Sequence, residues 1–201
     1  MPRNSPRQVI WLLIVLIVAA ALWYQQRPRA VTPVLQHASE TGAIVNENHY
    51  SPAENLEQLD LAQIDNAKRS LDIAMYAFTD RFLAEAVVRA ARRGVQVRIY
   101  RDHDQFEDEQ RHQGRREEGS TAEMFRGESS IQVRVKASRE LMHLKAYCID
   151  GALLRDGSAN WSNSGLKRQD NNARFTTDRA QVGEFENNFA GMWARDNQVV
   201  Q

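Results

Sequence analysis

LDIAMYAFTDRFLAEAVVRAARRGVQVRIY, residues 71–100, is the stretch that decides the fold class. Leu71 to Phe78 is a short apolar run bounded by turn-forming residues, the pattern of a buried strand. Phe82, Leu83, Ala86, Val87, Ala90 and Ala91 then recur at helical spacing, with Arg81, Glu85, Arg89 and Arg92 on the opposite face. Gly94 stops that helix, and Val95 to Tyr100 alternates like a second strand. The unit is βαβ, so the two strands are expected to be parallel, with a right-handed crossover.

Working outward, Ser51-Pro52-Ala53-Glu54 has capping-box spacing with proline at the first helical position, which predicts a helix from there to about Arg69. Downstream, Ile131 to Lys136, Leu141 to Ile149, Ala152 to Arg155 and Asn171 to Thr177 read as strands. Asp178, with Gln181 three residues on, caps a last helix that buries Val182, Phe185, Phe189 and Met192 or Trp193. The expected fold is α/β: a mixed, largely parallel central sheet flanked by helices, over residues 43–196, with a tail at 197–201. Residues 102–130 carry nine acids, four arginines and few apolar side chains, and read as a solvated helix and loop. His103 and His112 lie there among carboxylates, but their spacing matches no helix-face ligand pair, so no metal site is expected.

The 201 residues include 26 basic and 26 acidic side chains and one cysteine, Cys148. One cysteine excludes an internal disulfide framework and a multi-cysteine zinc site. The charge balance hides an asymmetry: residues 1–30 carry four arginines and no acid, which leaves the remainder at −4. Nucleic-acid binding by the folded part would therefore need a local basic cluster. After a basic start at 1–8, Val9 to Tyr24 is free of charge, Gln25 and Gln26 extend it, and Trp11, Trp23 and Tyr24 lie near its ends. Residues 9–26 are thus expected to be a transmembrane helix, followed by a linker at 27–42. A cleaved signal peptide ending near Ala19-Ala20-Ala21 is the alternative. Three basic groups precede the run (Arg3, Arg7 and the amino terminus) and two follow it (Arg27 and Arg29), so the domain is expected outside the cytoplasm, as a single-pass periplasmic protein, or as a secreted or periplasmic one after cleavage.

The chemistry lies in Met142 to Ile149, MHLKAYCI. Strand alternation directs Met142, Leu144, Ala146 and Cys148 to the core, and His143, Lys145 and Tyr147 to the other face. An imidazole and an ammonium two residues apart suit one phosphate: one to attack phosphorus, one to hold a non-bridging oxygen. Asp150 follows, then Gly157-Ser158-Ala159-Asn160, whose hydroxyl and amide can approach an anion closely. The whole reads His-x-Lys-x4-Asp-x6-Gly-Ser-x-Asn, a coincidence expected by chance about a few times in a million.

This pattern resembles the HKD signature of the phospholipase D superfamily, and the chain is most similar to its single-motif members, of the small bacterial endonuclease and mitochondrial cardiolipin hydrolase type. The resemblance runs from about Ala43 to Trp193 and takes in Ser51-Pro52, Ala67-Lys68, Ala74-Met75-Tyr76-Ala77-Phe78, Arg93-Gly94-Val95 and Gly157 to Ser162. It implies a phospholipase D-like fold and a metal-independent phosphodiesterase without cofactors, in which two copies of the motif meet at a two-fold axis. One copy per chain then implies a homodimer. Carried over by position, His143 of one subunit attacks phosphorus and the partner's His143 protonates the leaving oxygen. Lys145 and Asn160 steady the equatorial oxygens, Ser158 adds a hydrogen bond, Gly157 supports the turn, and Asp150 fixes a loop. Related enzymes place a glutamate where this chain has Asn171, and an amide keeps a hydrogen bond but not the charge.

Three functions are compatible with these residues. The leading one is a membrane-anchored endonuclease acting on DNA or RNA through a phosphohistidine, with Lys136, Arg134, Lys167 and Arg168 lining a basic cleft. The alternative is a phospholipase D-type hydrolase of phosphatidylcholine or cardiolipin, and the third, prompted by Asn171, a catalytically impaired phosphate-binding module.

Overall fold

The computed structural model describes residues 15–17, 33–41, 43–112 and 120–200. The chain divides into two units, Met1–Val31 and Thr32–Gln201. In the second, α1 (Val34–Thr41) precedes β1 (Asn46–Ser51), α2 (Leu56–Asp65), β2 (Ser70–Met75), α3 (Arg81–Arg92), β3 (Gln96–Arg101) and α4 (His103–His112). Then come α5 (Thr121–Phe125), β4 (Ile131–Lys136), β5 (Lys145–Ile149), β6 (Leu153–Gly157), α6 (Asn163–Lys167), β7 (Asn171–Thr176), α7 (Arg179–Trp193) and β8 (Asn197–Val199).

Among the described residues eight strands join one mixed sheet in the order β1-β7-β6-β5-β2-β3-β4-β8. The βαβ unit is as expected: β2 and β3 are parallel, with Leu71 opposite Val97 and Ile73 opposite Ile99, and β4 continues parallel to β3. The expectation of a largely parallel sheet is corrected, because the other five pairings, β1·β7, β7·β6, β6·β5, β5·β2 and β4·β8, are antiparallel. The reason lies in the connections. Only three residues, 150–152, separate β5 from β6, and a link that short reverses the chain, whereas a parallel crossover needs a dozen or more residues.

Both faces of the sheet are covered. Leu71, Ile73, Tyr147, Ile149 and Phe175 pack with Leu56, Ile64, Leu83, Val87 and Leu166 in one core. Ala74, Ala146, Cys148 and Leu154 meet Val182, Phe185, Phe189 and Met192 of α7 in the other. Asp178 caps α7 through Ala180 N–H and Gln181 N–H, as predicted. The helix expected from Ser51 begins later, at Leu56, with Asn55 as its cap. Ser51 instead closes β1, and the Glu54 carboxylate turns back to accept from Tyr50 N–H (3.0 Å) and to bind His49 Nδ1 (2.8 Å), which leaves no capping box.

The membrane-spanning helix expected at 9–26 is also corrected. Among the described residues no helix is long and apolar enough to cross a membrane, which takes about 20 apolar residues. Of that segment only 15–17 are described, and these are helical; the basic start at 1–8 lies outside the described residues. Within the expected linker, α1 is a folded element: Val34 is buried and its N–H donates to Gln63 Oε1 at 2.8 Å. Likewise the expected tail contributes β8, in which Asn197, Gln198 and Val199 pair with Lys136, Val135 and Arg134.

Cys148 sits in the α7 core, where burial, with Glu186 and Asp72 nearby, pushes its thiol up to about 12. At pH 8 almost none is thiolate, and the thiolate is the nucleophile. Iodoacetamide is expected to leave the folded chain unmodified and to add one adduct in denaturant, as read by intact mass. Rapid labelling of the folded chain would contradict this burial.

Candidate active site

Because β2, β3 and β4 are parallel, their carboxyl ends share one end of the sheet, the usual place for a ligand site in such folds. Antiparallel β5 begins there, and Lys145 lies opposite Met75. The chain past β2 stays tied to the chain before β5, since Tyr76 N–H donates to Leu144 O at 2.8 Å. On the other side the Trp161 carbonyl accepts from Thr79 N–H (2.8 Å) and Asp80 N–H (2.9 Å), and Phe78 bridges Trp161. Asn160 is held between them, its Oδ1 accepting from Ala77 N–H at 3.4 Å, so the Nδ2 end of the amide is the end turned away from that backbone.

Tyr76 is the floor on which the two basic groups meet. The exposed His143 ring stands edge-on to the tyrosine ring at 4.6 Å, and Lys145 Nζ lies 4.8 Å from the centre of the same ring. Lys145 is 6% exposed and donates to the carbonyl of His143 at 2.7 Å. Burial lowers the Lys145 pKa from the usual lysine value, and the negative charge of Asp102 opposes that shift. Asp102 is itself buried, accepting from Met142 N–H (2.9 Å) and Gln105 N–H (3.1 Å), while Gln105 Nε2 donates to the Tyr76 hydroxyl at 3.3 Å. Strand periodicity singled out neither Tyr76 nor Asp102; both stand just past the ends of parallel strands, and that position was the available signal.

The strand-face assignment holds in part. Met142, Ala146 and Cys148 enter the α7 core, but His143 and Leu144 precede β5, and Leu144 is 38% exposed. Tyr147 does not share an open face with His143. It is fully buried in the opposite core, because helices cover both sides of β5.

The Gly-Ser-x-Asn turn is built against β7. Gly157 has φ +143°, and Ser158 N–H and Ala159 N–H both donate to Asn172 O, at 3.1 and 3.2 Å. The Ser158 hydroxyl donates to Asn171 Oδ1 (2.9 Å) and accepts from Asn172 N–H (3.0 Å), so its proton is engaged within the turn. Asn171 is occupied at both ends of its amide: Nδ2 donates to Gly165 O (3.0 Å) and Gln169 Oε1 (3.2 Å). Its place in the structure is a clamp on Ser158 and α6.

Asp150 does not join this cluster. It ends β5 five residues from Lys145, about 16 Å along a strand. There, at φ +57°, its carboxylate accepts from the N–H groups of Lys68, Arg69 and Ser70 at 3.0, 2.6 and 2.9 Å, tying the start of β2. Of the candidate substrate-binding residues, three are held by partners within the fold. Arg134 stacks on Trp193 at 4.5 Å and donates to its carbonyl, Lys136 Nζ donates to Glu140 O, and Lys167 pairs with Glu57 and lies 5.7 Å from the Phe82 ring. Arg168 is exposed, just after α6.

Among the described residues, His103, Asp104 and Glu107 bring ligand atoms within 4.8 Å of one another at the start of α4. The pair that helical periodicity brings together there is His103 with Glu107, one turn apart and 3.3 Å across.

Residues 61–193 match a family model described as cardiolipin synthase, PLD-like domain. The chain is 33% identical over 151 residues to the mitochondrial cardiolipin hydrolase of Drosophila melanogaster, which covers 65% of this chain and 56% of that protein. It is 30% identical over 133 residues to that of Chlamydomonas reinhardtii, covering 66% and 55%. The chain thus spans about half the length of the curated relatives it matches. Among solved structures, Nuc from Salmonella typhimurium, a phospholipase D family member, is similar with a TM-score of 0.65 at 22% identity, over 79% of this chain and 99% of that one. That likeness is one of fold.

Proposed function

The chain belongs to the family of the cardiolipin synthase PLD-like domain, in the phospholipase D superfamily, and on that premise we propose that it is a phosphodiesterase with His143 as nucleophile. The observation that carries the reading is the seating of His143 and Lys145 on one tyrosine ring, beside an Asn160 anchored to the next residue, Ala77. The His143 imidazole attacks phosphorus, a P–N bond forms, and the P–O bond to the leaving alcohol breaks as that oxygen takes a proton from a second imidazole. The second imidazole then removes a proton from water, whose oxygen displaces His143 to give a phosphomonoester. Lys145 and the Asn160 amide donate to the non-bridging oxygens throughout. Ser158 acts on this site only through the turn it holds.

Each chain has one such motif, so the second imidazole is His143 of the partner subunit, and the active species is a homodimer. Two imidazoles that begin in opposite protonation states give a bell-shaped pH profile. No metal takes part in these steps.

The rim supports a phospholipid diester over a nucleic-acid backbone. Leu141 and Leu144, 58% and 38% exposed, bracket His143, while Arg134, Lys136 and Lys167 are already engaged. Apolar rims suit acyl chains, and free cations suit a polyanion. The nuclease reading is favoured by the exposed Arg168 and by the exposed Arg139, four residues before His143. The test is a panel of labelled DNA, RNA, phosphatidylcholine and cardiolipin, offered to the full chain with and without excess chelator. We expect phospholipid turnover at least about tenfold above nucleic-acid cleavage, unchanged by chelation. Faster cleavage of DNA or RNA would reverse the substrate assignment, and loss of activity in chelator would reject the metal-free route.

A further inference from the structure

A charged pair lies buried between the sheet and α2, linked to the site through the backbone. Arg155, the middle residue of β6, and Asp60, on α2, are both fully buried, with Arg155 Nε 3.2 Å from Asp60 Oδ1. Neither belongs to the His-x-Lys or Gly-Ser-x-Asn pattern. Their partners, however, flank the two groups that face the phosphate. Arg155 Nη1 donates to the carbonyl of Lys145 (2.9 Å) and to the carbonyl of Ala159, the residue before Asn160 (3.3 Å). Asp60 accepts from the indole N–H of Trp161, the residue after Asn160 (2.9 Å), and from the hydroxyl of Tyr147, two residues after Lys145 (3.0 Å).

The geometry points to Arg155 and Asp60 as positioning residues that set the separation of Lys145 from Asn160. One guanidinium spans two backbone segments that share no direct ladder at these residues, and one carboxylate holds the side chains just beyond them. The rigid guanidinium plane sets Nη1, with its two N–H donors, against both carbonyls while Nε faces the Asp60 carboxylate, an orientation that a lysine's flexible stem would not fix. Buried ion pairs add little net stability over an apolar pair of similar volume, so stability alone does not account for one placed here. The inference rests on the reading that Lys145 and Asn160 hold the phosphate.

The test replaces both partners together, Asp60→Leu with Arg155→Met, so that no lone charge is left buried. The double variant is expected to keep its circular dichroism and to lose kcat by about 100-fold, the penalty for displacing a catalytic group by roughly 1 Å, with KM changed by less than about threefold. A folded double variant with wild-type kcat would overturn the inference. Should the double variant fail to fold, Tyr147→Phe decides the matter. It removes a single hydroxyl from Asp60, and kcat is expected to fall about threefold to tenfold with KM intact, whereas an unchanged kcat would count against the brace. If the wild-type chain turns over no diester at all, the function proposed above fails by itself. The brace is then read by titrating inorganic phosphate, which the double variant should bind about tenfold more weakly; equal or absent binding in the two proteins would reject it.

Discussion

His143→Ala is expected to lower kcat by about 10⁴-fold or more while leaving the chain folded. The ring is exposed and stands edge-on to Tyr76, so its removal opens no cavity. Lys145 hydrogen-bonds the carbonyl of residue 143, not its imidazole, so the variant keeps the ammonium in place. Under the proposed mechanism the variant loses both the nucleophile on one face of the phosphorus and the acid on the other, since the two imidazoles are His143 of each subunit. The loss should therefore exceed that from removing a group that only steadies charge, about 10²–10³-fold. Steady-state assays on the preferred substrate check the rate, and an alkaline detergent quench of the wild type with labelled diester checks for an acid-labile phosphohistidine absent from the variant. Activity within tenfold of wild type would remove His143 from the mechanism.

The second large effect concerns stability. Gly157→Ala is expected to destabilise the chain by about 3 kcal/mol or more, a fall in Tm of roughly 6–12 °C for a domain of this size. At φ +143° the backbone lies where L side chains rarely go, and an added Cβ would stand 2.3 Å from the carbonyl oxygen of Asn172. The obstacle is backbone, on the paired strand β7, and that oxygen also accepts from Ser158 and Ala159. Relief would have to part β6 from β7 or break the turn that carries Asn160. Gly151→Ala is the control. Its φ is +62°, and its nearest neighbour is the tip of the Glu186 side chain at 3.1 Å, which can swing aside, so about 1 kcal/mol is expected. Thermal melts of the two variants should separate clearly, and equal losses would show that the close approach to Asn172 does not matter.

The difference between these glycines marks what the sequence could and could not reveal. The Gly-Ser-x-Asn turn, the β2–α3–β3 unit and the capped, apolar-faced α7 are local patterns, written in spacing, and they stand where they were expected. Strand direction is not local. LDIAM and KAYCI are equally apolar, and nothing within either run says that β5 enters antiparallel beside β2. The floor of the site was hidden for the same reason: Tyr76 and Asp102 become neighbours of Lys145 only when strand ends from three parts of the chain converge. Asp60 and Arg155 are 95 positions apart, and each alone reads as an ordinary surface charge. Asn171 was legible as a departure, but its engagement with Ser158, Gly165 and Gln169 depends on where α6 lies.

The outermost strands of the sheet bear on how copies of this protein can meet. One border is β1, Asn-Glu-Asn-His-Tyr-Ser, and the other is the three-residue β8. A polar border and a truncated one are both poor templates for adding a further strand. Continuation of the sheet from one copy into the next is thereby discouraged, which guards against fibrous stacking and leaves self-association to other parts of the surface.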